Sequence, residues 1–483
     1  MIITTYDKTK AMNGLTFVYP RMIDIKNDRE ITGFLIIVDM NGDIKYISKD
    51  KGTTELINST TVMFTNTNTI YLWNMATNNT EKIPIEDDGH HDIEYNPFTD
   101  TFLLLRAERY GEWLGEPIVY DMLYEIDRKN NTLWIFNGSI HIPFNESLFL
   151  HQTTRLGGWD WMHTNSIFWD IEEGYIYFNC RHLDTFYKID MNTTEIVWSV
   201  GRVGDMECYN LQGKKVETLF YHAHAVEKIS PTRFILLDND YYNYTRPNPA
   251  LGVSRFVEIE IDEEAKIAKE VWSWSPKGDY YSPHWGDADR LPNGNTLGTF
   301  GYGTHGMRAL GVDHPAYYTE VTPEGEIVWE LAFNSSRDRE WKGYRAERYF
   351  TEPLIEITNF TNKINEGNDV HIELSTWNTF RNKYHYNGTI QIKNGTAVLI
   401  KEDFQFLPFW QETKLLYNLS SFKAGNFTLQ IIIENQDGLK VTENIDVIVL
   451  SLKTSETSGF SFLIIILTQS VITILISRHR KLR

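Results

Sequence analysis

The sequence predicts an all-β protein in which a six-bladed β-propeller is followed by a small immunoglobulin-like β-sandwich and a C-terminal transmembrane helix. Three observations lead to this prediction. Short strands separated by turn signals every 8 to 12 residues run from Leu15 to Phe333. A histidine-headed unit recurs four times within that stretch. Near the C-terminus, one uncharged segment is long enough to span a bilayer.

The composition is that of a folded, acidic protein. Of 483 residues, 42% are hydrophobic and 14% are aromatic, which excludes intrinsic disorder and favours strands. The formal net charge of −19 repels phosphate backbones, so nucleic acid is excluded as a partner. Cys180 and Cys208 are the two cysteines present, and they allow one disulfide or two separate thiols.

Four of the predicted strands contain an apolar residue followed by tryptophan. The tryptophans are Trp134, Trp198, Trp272 and Trp329, which lie 64, 74 and 57 residues apart. A repeat of this length with four strands per unit is typical of a propeller blade that carries loop insertions. We expect these tryptophans to pack between blades.

The same four units align at their beginning, where a histidine precedes a strand. The histidines are His91, His163, His224 and His284, and the second strand of each unit begins 10 or 12 residues later. Two further units upstream lack the histidine. A strand over residues 344–350 is expected to complete the first of them and close a ring of six blades, because closure removes exposed sheet edges. The predicted propeller spans residues 12–352.

After Pro353 the strands alternate at period two without the tryptophan motif, which favours an immunoglobulin-like sandwich that we interpret as a stalk. The predicted segments are the sandwich 353–450, a linker 451–458, a transmembrane helix 459–477 and a basic cytoplasmic tail 478–483. The positive-inside rule places the propeller and stalk outside a single-pass cell-membrane protein. Thirteen Asn-x-Ser/Thr sequons, all before the apolar segment, agree with a glycoprotein that faces outward.

The four aligned histidines predict a site. The first strand of each propeller blade lines the central channel, so residues at equivalent strand starts form a ring at one mouth. A single histidine of this kind is more often structural, whereas four in one register favour a site. Arg106 and Arg181 follow the second strand of a hairpin whose first strand begins at this mouth, so the hairpin should return them to it. Their guanidinium groups can bind sulfate or phosphate oxygens bidentately.

With these residues the chain resembles the arylsulfate sulfotransferases, a family of six-bladed propellers that move a sulfuryl group from an aryl sulfate to a phenol without a nucleotide donor. The resemblance covers about residues 12 to 352. The motifs that carry it are His90-His-Asp-Ile-Glu, His163-Thr-Asn165 with Arg181 eighteen residues later, His222-Ala-His224, and Leu291-Pro-Asn-Gly-Asn295.

The resemblance implies a ping-pong reaction through a sulfohistidine, with an aryl sulfate donor, a phenolic acceptor, no cofactor and no metal. By chain order, the nucleophile falls on His224. The side chains of His163, Asn165 and Arg181 would then hold the sulfuryl oxygens, and His91 would complete the mouth. The other predicted substrate-binding residues are His284, Arg106 and His222.

Several alternatives stay open at this point. Strand residues two apart share a face, so His222 and His224 compete for one role, whereas His90 and His91 cannot both face the channel. A metal-dependent hydrolase or oxidase could use the same histidines with nearby carboxylates. The carboxylates considered are Asp92, Asp287 and Asp289. A non-catalytic surface propeller that binds glycans or proteins is the third class, and the sequence predicts no oligomeric state.

Overall fold

The computed structural model describes residues 1–451 apart from 25, 28, 50–53, 66–67, 87–88, 151–152, 249–251, 277–279, 302–315 and 335–338. Nearly all regular structure in this part of the chain is β-strand. The helical elements described are α1 (Gly138–His141) and two 3-10 turns, Arg181–Leu183 and Pro408–Trp410. The predicted all-β class is therefore confirmed.

The first 29 strands form the larger, N-terminal part of the protein. In chain order they are β1 (Ile2–Tyr6), β2 (Leu15–Asp24), β3 (Arg29–Val38), β4 (Ile44–Lys49), β5 (Thr54–Leu56), β6 (Thr61–Thr65), β7 (Thr69–Asn74), β8 (Asn79–Pro84), β9 (Ile93–Asn96), β10 (Thr101–Trp113), β11 (Glu116–Ile126), β12 (Thr132–Asn137), β13 (Thr154–Arg155), β14 (Gly158–Asp160), β15 (Thr164–Asp170), β16 (Tyr175–Cys180), β17 (Thr185–Asp190), β18 (Ile196–Gly201), β19 (Glu207–Tyr209), β20 (Lys215–Val216), β21 (His224–Ser230), β22 (Arg233–Asp238), β23 (Arg255–Asp262), β24 (Ile267–Trp274), β25 (Asp287–Arg290), β26 (Thr296–Phe300), β27 (Ala316–Val321), β28 (Ile327–Phe333) and β29 (Arg339–Tyr349).

These strands form six sheets, each built on four antiparallel strands. The first contains β2–β4 with β29, and the others contain β5–β8, β9–β12, β15–β18, β21–β24 and β25–β28. The predicted pairing of the strand at 344–350 with the N-terminal strands is confirmed, because β29 runs antiparallel to β2 with Leu15 opposite Tyr349. Strand β1 precedes the predicted start at residue 12 and adds a fifth strand to the last sheet by pairing with β28.

Each sheet packs against the next through buried apolar side chains, and the last packs against the first. At that last junction, Val18 and Ile36 of the first sheet pack with Tyr318 and Trp329 of the sixth. Other apolar clusters join the sheets in between. This packing order is what a six-bladed propeller requires, and the closed ring itself stays a prediction.

Three of the four repeated tryptophans donate a hydrogen bond to a neighbouring sheet. The indole N–H of Trp134 donates to the carbonyl of Met191 at 2.9 Å, and that of Trp329 donates to the carbonyl of Met40 at 2.9 Å. Trp272 does the same to Pro323 at 2.8 Å. The fourth, Trp198, has no hydrogen-bond partner for its N–H within the described residues and contacts the next sheet through the ring of Phe234, 5.9 Å away. The regular spacing of tryptophan in the sequence therefore reflects contacts between sheets.

The first strands of the sheets lie innermost. Strand β15 contacts both β9 and β21, and β25 contacts both β21 and β29. Residues at the starts of these strands therefore approach one another although they are far apart in sequence.

The C-terminal part is a sandwich of two sheets, with orders β30-β32-β35 and β31-β37-β36-β33-β34. Its strands are β30 (Leu354–Phe360), β31 (Lys363–Asn365), β32 (Val370–Trp377), β33 (Tyr386–Asn394), β34 (Ala397–Phe406), β35 (Thr413–Leu419), β36 (Gly425–Asn435) and β37 (Lys440–Leu450). Its core belongs to the same apolar cluster as Phe17, Val62 and Phe64 of the first two N-terminal sheets. The sandwich therefore packs directly against the N-terminal part, and its interpretation as a stalk stays a prediction.

Three sequence predictions concern segments near the C-terminus. The transmembrane helix 459–477 and the tail 478–483 lie outside the described residues, as does most of the linker. Within the part of the chain that the structure describes, no helix has the length and apolar character needed to cross a bilayer.

The two cysteines do not pair. Cys180 and Cys208 are both buried free thiols, and burial raises the pKa of each. The alternative of two separate thiols is therefore the one that the structure contains.

Candidate functional site

A repeated backbone turn marks where the innermost strands begin. The backbone takes positive φ at His91 (61°), His163 (48°), His222 (57°) and Trp285 (66°). Residues other than glycine rarely adopt this conformation, so the four turns are equivalent features of four sheets. The alignment made from the sequence is corrected accordingly: His222 is equivalent to His91 and His163, and His224 lies two residues further on.

Seven histidines gather at these turns, and we call them the histidine cluster. Five of their rings follow one another at centroid distances of 4.9, 5.0, 4.7 and 5.8 Å. In order these are His90, His91, His163, His182 and His222. The other two members, His224 and His284, adjoin them through Arg181. The structure therefore brings the histidines that the sequence singled out together where the innermost strands begin.

Arg181 lies between the histidines of different sheets. Its Nη1 donates to Nε2 of His182 at 3.1 Å, and its Nη2 donates to Nδ1 of His284 at 2.8 Å. The backbone N–H of Arg181 bonds to the carbonyl of His163 at 3.3 Å, which holds this residue at the end of the β15–β16 hairpin. Burial lowers the pKa of the guanidinium to about 10, so it stays charged at neutral pH. A buried guanidinium with histidine neighbours is suited to binding an oxyanion.

His224 is 2% exposed and is held in one tautomer. Its Nδ1 lies 2.6 Å from Oδ1 of Asn239. The amide nitrogen of Asn239 donates to the carbonyls of Ser282 and Trp285 at 2.6 and 2.8 Å, which fixes the amide oxygen toward the ring. Because that oxygen can only accept, Nδ1 carries the proton and Nε2 carries the lone pair. Burial, followed by the charge of Arg181, lowers the pKa of His224 to about 3.

His163 is held by a carboxylate. Its Nδ1 donates to Oδ2 of Asp160 at 2.5 Å, and Oδ1 of the same carboxylate lies 3.3 Å from Nε of Arg155. Burial and then the charge of Arg181 lower the pKa of His163 well below its ordinary value. Burial likewise lowers the pKa of His91. These rings are therefore neutral bases at neutral pH.

His222 is held by a second carboxylate. Its Nδ1 donates to Asp184 at 3.0 Å and its backbone N–H donates to the same oxygen at 2.8 Å. Burial raises the pKa of Asp184 to about 6, although Arg202 opposes the shift. The His222 ring stacks on Tyr242 with centroids 5.6 Å apart. The sequence left His222 and His224 as competitors, and the structure holds both rings at Nδ1.

Asn165 occupies a different place from the one predicted. Its amide nitrogen donates to the carbonyl of Ala223 at 2.8 Å, and its oxygen accepts from Asn179 at 2.8 Å. Asn165 therefore supports the backbone between His222 and His224, which is a positioning contact.

The structure does not bring Arg106 to the histidine cluster. The backbone carbonyl of Leu105 does accept from His90 at 3.1 Å, as the hairpin argument requires. The Arg106 guanidinium, however, lies 4.7 Å from the ring of Tyr124 and donates to Asn130 at 3.3 Å. The prediction located the backbone well, but the long side chain turns back along the strand.

Sequence reasoning missed Asp160, Asp184 and Asn239, which hold the histidine rings, and three further residues at the cluster. His182 follows Arg181 in the same 3-10 turn and accepts its hydrogen bond. Tyr241 lies with its ring 4.9 Å from His284 and 5.9 Å from the Arg181 guanidinium. Arg155 lies on the β13–β14 hairpin, pairs with Asp121 and Asp160, and comes within 3.5 Å of His90. That hairpin is an insertion outside the repeat, so no alignment of the units could indicate Arg155.

One group of side chains at the cluster has the spacing of a metal site. Ligand atoms of Asp160, His163 and His182 lie within 4.8 Å of one another. These atoms are engaged, since Asp160 binds Nδ1 of His163 and the Arg181 guanidinium donates to Nε2 of His182. A positive charge at a ligand nitrogen opposes the binding of a cation. The geometry thus disfavours the metal-dependent alternative at this cluster.

A second group with such spacing lies further along the strands. Its members are Glu227, Asp287 and Asp289. Arg381 of the sandwich forms ion pairs with two of these carboxylates, Glu227 and Asp289. This group is therefore already bound to a cationic side chain.

Comparisons with known proteins point to one family. The family model described as Arylsulfotransferase (ASST) matches residues 4–345. No curated protein sequence matches the chain. Among solved structures, hydrazine synthase of Kuenenia stuttgartiensis is similar at 12% identity and a TM-score of 0.34, over 66% of this chain and 74% of that chain. Hsv2 of Kluyveromyces lactis is similar at 8% identity and a TM-score of 0.28, over 64% and 95%.

Proposed function

Because the chain belongs to the arylsulfotransferase (ASST) family, we propose that it transfers a sulfuryl group from an aryl sulfate to a phenolic acceptor through a sulfohistidine at His224. The family is one of transferases, and its match covers nearly all of the six-sheet part. We also propose that the six sheets close into a propeller. The packing of the sixth sheet on the first supports this closure.

The observation that carries the proposal is the state of His224. Its Nδ1 is held by Asn239 at 2.6 Å, and its pKa of about 3 keeps the ring neutral at neutral pH. A neutral imidazole with its lone pair on Nε2 is a competent nucleophile, and covalent catalysis divides one difficult transfer into two easier ones. Of the positive charges that act on this ring, the Arg181 guanidinium has the larger effect and Arg345 a smaller one.

In the first half-reaction, Nε2 of His224 attacks the sulfur of the aryl sulfate. The N–S bond forms, the bond between sulfur and the aryl oxygen breaks, and the electron pair leaves with the phenolate. Negative charge on the three sulfuryl oxygens is then stabilised by Arg181, as fixed donors stabilise charge in phosphoryl transfer. A phenol has a pKa of about 10, so phenolate leaves with less protonation than an alkoxide requires.

In the second half-reaction, the oxygen of the acceptor phenol attacks the same sulfur. The O–S bond forms, the N–S bond breaks, and the electron pair returns to Nε2 of His224. The phenol proton needs a base, and His163 is suited to accept it because its Nδ1 is held by Asp160 and burial lowers its pKa. The resulting imidazolium would face the Asp160 carboxylate, which stabilises it.

Intact-mass spectrometry tests the proposal. The full-length chain is mixed with a chromogenic aryl sulfate at neutral to alkaline pH, and the mass is measured before and after a phenol is added. We expect a gain of one SO₃ group that disappears when the acceptor arrives. His224→Ala should show no gain.

Two controls make this result specific. His371→Ala changes a histidine of the sandwich that bonds to Asn418, and it should form the adduct as the unmodified chain does. His222→Ala separates the two competing histidines. An adduct that survives in His224→Ala but is lost in His222→Ala would contradict the assignment, and phenol release without any adduct would contradict the covalent mechanism.

A further inference from the structure

The loop between β32 and β33 of the sandwich enters the N-terminal part of the protein. It comprises residues 378–385, all of them buried except the half-buried Lys383 and the exposed His385. Its backbone carbonyl at Thr379 accepts from Phe350 at 2.7 Å, and the Thr379 hydroxyl bonds to that of Ser59 at 2.7 Å. These contacts fix the loop against the first two sheets and direct two cationic side chains, Arg381 and Lys383, toward the innermost strands.

Lys383 joins two innermost strands. Its ammonium lies 2.5 Å from Glu55 of β5 and 2.5 Å from Glu94 of β9. The same ammonium lies 5.0 Å from the ring of Phe168 in β15. Its neighbouring carboxylates hold its pKa above the ordinary value against the effect of burial, so it is charged at neutral pH.

Arg381 joins two more innermost strands. Its guanidinium forms an ion pair with Glu227 of β21 and lies 3.5 Å from Asp289 of β25. Burial lowers its pKa to about 10, which still leaves it charged at neutral pH. The cavity left between the loop and the strands is about 10 Å³, roughly the space of one water molecule. The two cations thus fill this end of the innermost strands.

We call these groups the charged cluster, and part of it lies on the strands that begin at the histidine cluster. Its members are Glu55, Asp92, Glu94, Glu227, Asp287, Asp289, Arg345, Glu347, Arg381 and Lys383. Glu94 follows His91 by three residues, Glu227 follows His224 by three, and Asp289 follows His284 by five. At about 3.3 Å per residue, the ion pairs of Arg381 and Lys383 lie roughly 10 to 17 Å along the strands from the histidines. The pair of Asp92 with Arg345 lies nearer, because Asp92 directly follows His91.

From this geometry we propose that Arg381 and Lys383 are positioning residues for the histidine cluster, acting through the strands that they join. By tying β9, β21 and β25 to one rigid loop, they fix the separations between His91, His224 and His284. The expected effect on rate rests on the proposed sulfuryl transfer. The expected effect on strand mobility does not depend on that reaction. The positioning role and the proposed function can therefore be tested separately.

The test uses the full-length chain with Arg381→Met and Lys383→Met, each of which removes a charge and keeps a long side chain. Arg381→Lys is the conservative variant, and Lys414→Met is the matched control, because Lys414 lies in the same sandwich in an exposed pair with Glu412. Amide hydrogen exchange is followed by mass spectrometry in peptides spanning 91–96 and 222–230. Both kcat and KM are measured for aryl sulfate turnover.

We expect faster exchange in 222–230 for Arg381→Met, which frees β21, and in 91–96 for Lys383→Met, which frees β9. In both variants kcat should fall about 10-fold or more while KM stays within about 3-fold. Arg381→Lys should recover most of the rate, and Lys414→Met should change nothing. Unchanged exchange in these peptides, or an unchanged kcat in a less stable enzyme, would overturn the positioning role. If the chain lacks sulfuryl transfer altogether, the proposed function fails while the exchange data still decide whether the loop fixes these strands.

Discussion

The histidine cluster lies where the innermost strands begin, which we call the reactive end, and most of the charged cluster lies further along them, which we call the structural end. Burial shifts the pKa values of the two clusters in opposite directions. At one end, burial lowers the pKa of His91, His163 and His224. At the other end, burial raises the pKa of Asp287 to about 6 and that of Glu347 to about 8. In both places the uncharged form is favoured, because a low dielectric penalises charge.

The difference lies in how each end is neutralised. The histidines keep lone pairs around one buried guanidinium, which suits a site that receives an anion. The carboxylates of the charged cluster are held by Arg345, Arg381 and Lys383, which suits a structural junction. Similar burial therefore produces reactivity at one end and cohesion at the other.

The largest expected effect concerns the reactive end. His224→Ala removes the proposed nucleophile and should lower kcat for phenol release by at least about 10³-fold, since chemistry that depends on one group is lost with it. The thermal midpoint should change little compared with that loss. Steady-state kinetics and calorimetry on the same preparation check both statements, and a variant with more than a tenth of the activity would contradict the role of His224.

The next effect concerns the structural end. Arg381→Met leaves Glu227 and Asp289 without their cation, and breaking a buried pair costs about 3 kcal/mol of unfolding free energy. Urea denaturation measures it. Arg381→Met combined with Glu227→Gln should recover part of the loss, because the unpaired carboxylate is then removed. Equal stability of the single variant and the unmodified chain would show that this pair contributes nothing.

A smaller effect is expected at the centre of the histidine cluster. Arg181→Lys keeps a charge but loses the planar fork that reaches both His182 and His284. We expect kcat to fall about 10²-fold, the cost of losing one fixed donor to an oxyanion. Arg106→Lys is the matched control, because the structure places that arginine on Tyr124. A comparable fall in kcat for Arg106→Lys would show that Arg106 does act at the site, contrary to its position on Tyr124.

The smallest effect is a pH dependence of opposite sign at the two ends. Glu347 has an ordinary pKa of 4.5 and one of about 8 in the fold, so its contribution lowers stability as pH rises between those values. His224 goes from 6.5 to about 3, so its contribution lowers stability as pH falls from 6.5. Glu347→Gln should therefore flatten the fall of the unfolding free energy between pH 6.5 and 8 by at most about 1.4 kcal/mol per pH unit. His224→Ala should flatten the opposite dependence of the unfolding free energy below pH 6.5. Urea denaturation from pH 4 to 8 checks this, and unchanged slopes would contradict it.

Much of the architecture could be predicted because it repeats. Period-two alternation indicates strands, and regularly spaced tryptophans indicate packing between sheets. The pairing of the strand at 344–350 with the N-terminal strands is predicted because it removes an exposed sheet edge. The register of the third unit was wrong by two residues and that of the fourth by one, since the turn of the fourth unit lies at Trp285 and not at His284. Both His222 and His224 fit the sequence pattern of a histidine before a strand. The positive φ at His222 shows which of the two is equivalent to His91 and His163.

The candidate site was predicted less completely, for identifiable reasons. Asn239 follows β22 just as Arg181 follows β16, so the alignment that found Arg181 could also have found Asn239. Arg106 has the same place after Leu105, but the sequence does not determine the direction of a flexible side chain. Arg155 lies on an insertion, and Arg381 comes from another part of the chain. The contacts of Arg155 and Arg381 depend on how distant segments of the chain pack together, and a local sequence pattern does not predict that packing.

The pairing of β29 with β2 also affects how this protein folds during synthesis. Leu15 and Tyr349 are opposite each other, so the first sheet waits for 334 further residues before its last strand exists. At 5 to 20 residues per second, a ribosome needs roughly 20 to 70 s for that stretch. Throughout this interval β2 presents an unpaired edge to every nascent neighbour. Aggregation through this edge therefore competes with folding until β29 has been synthesised and pairs with β2.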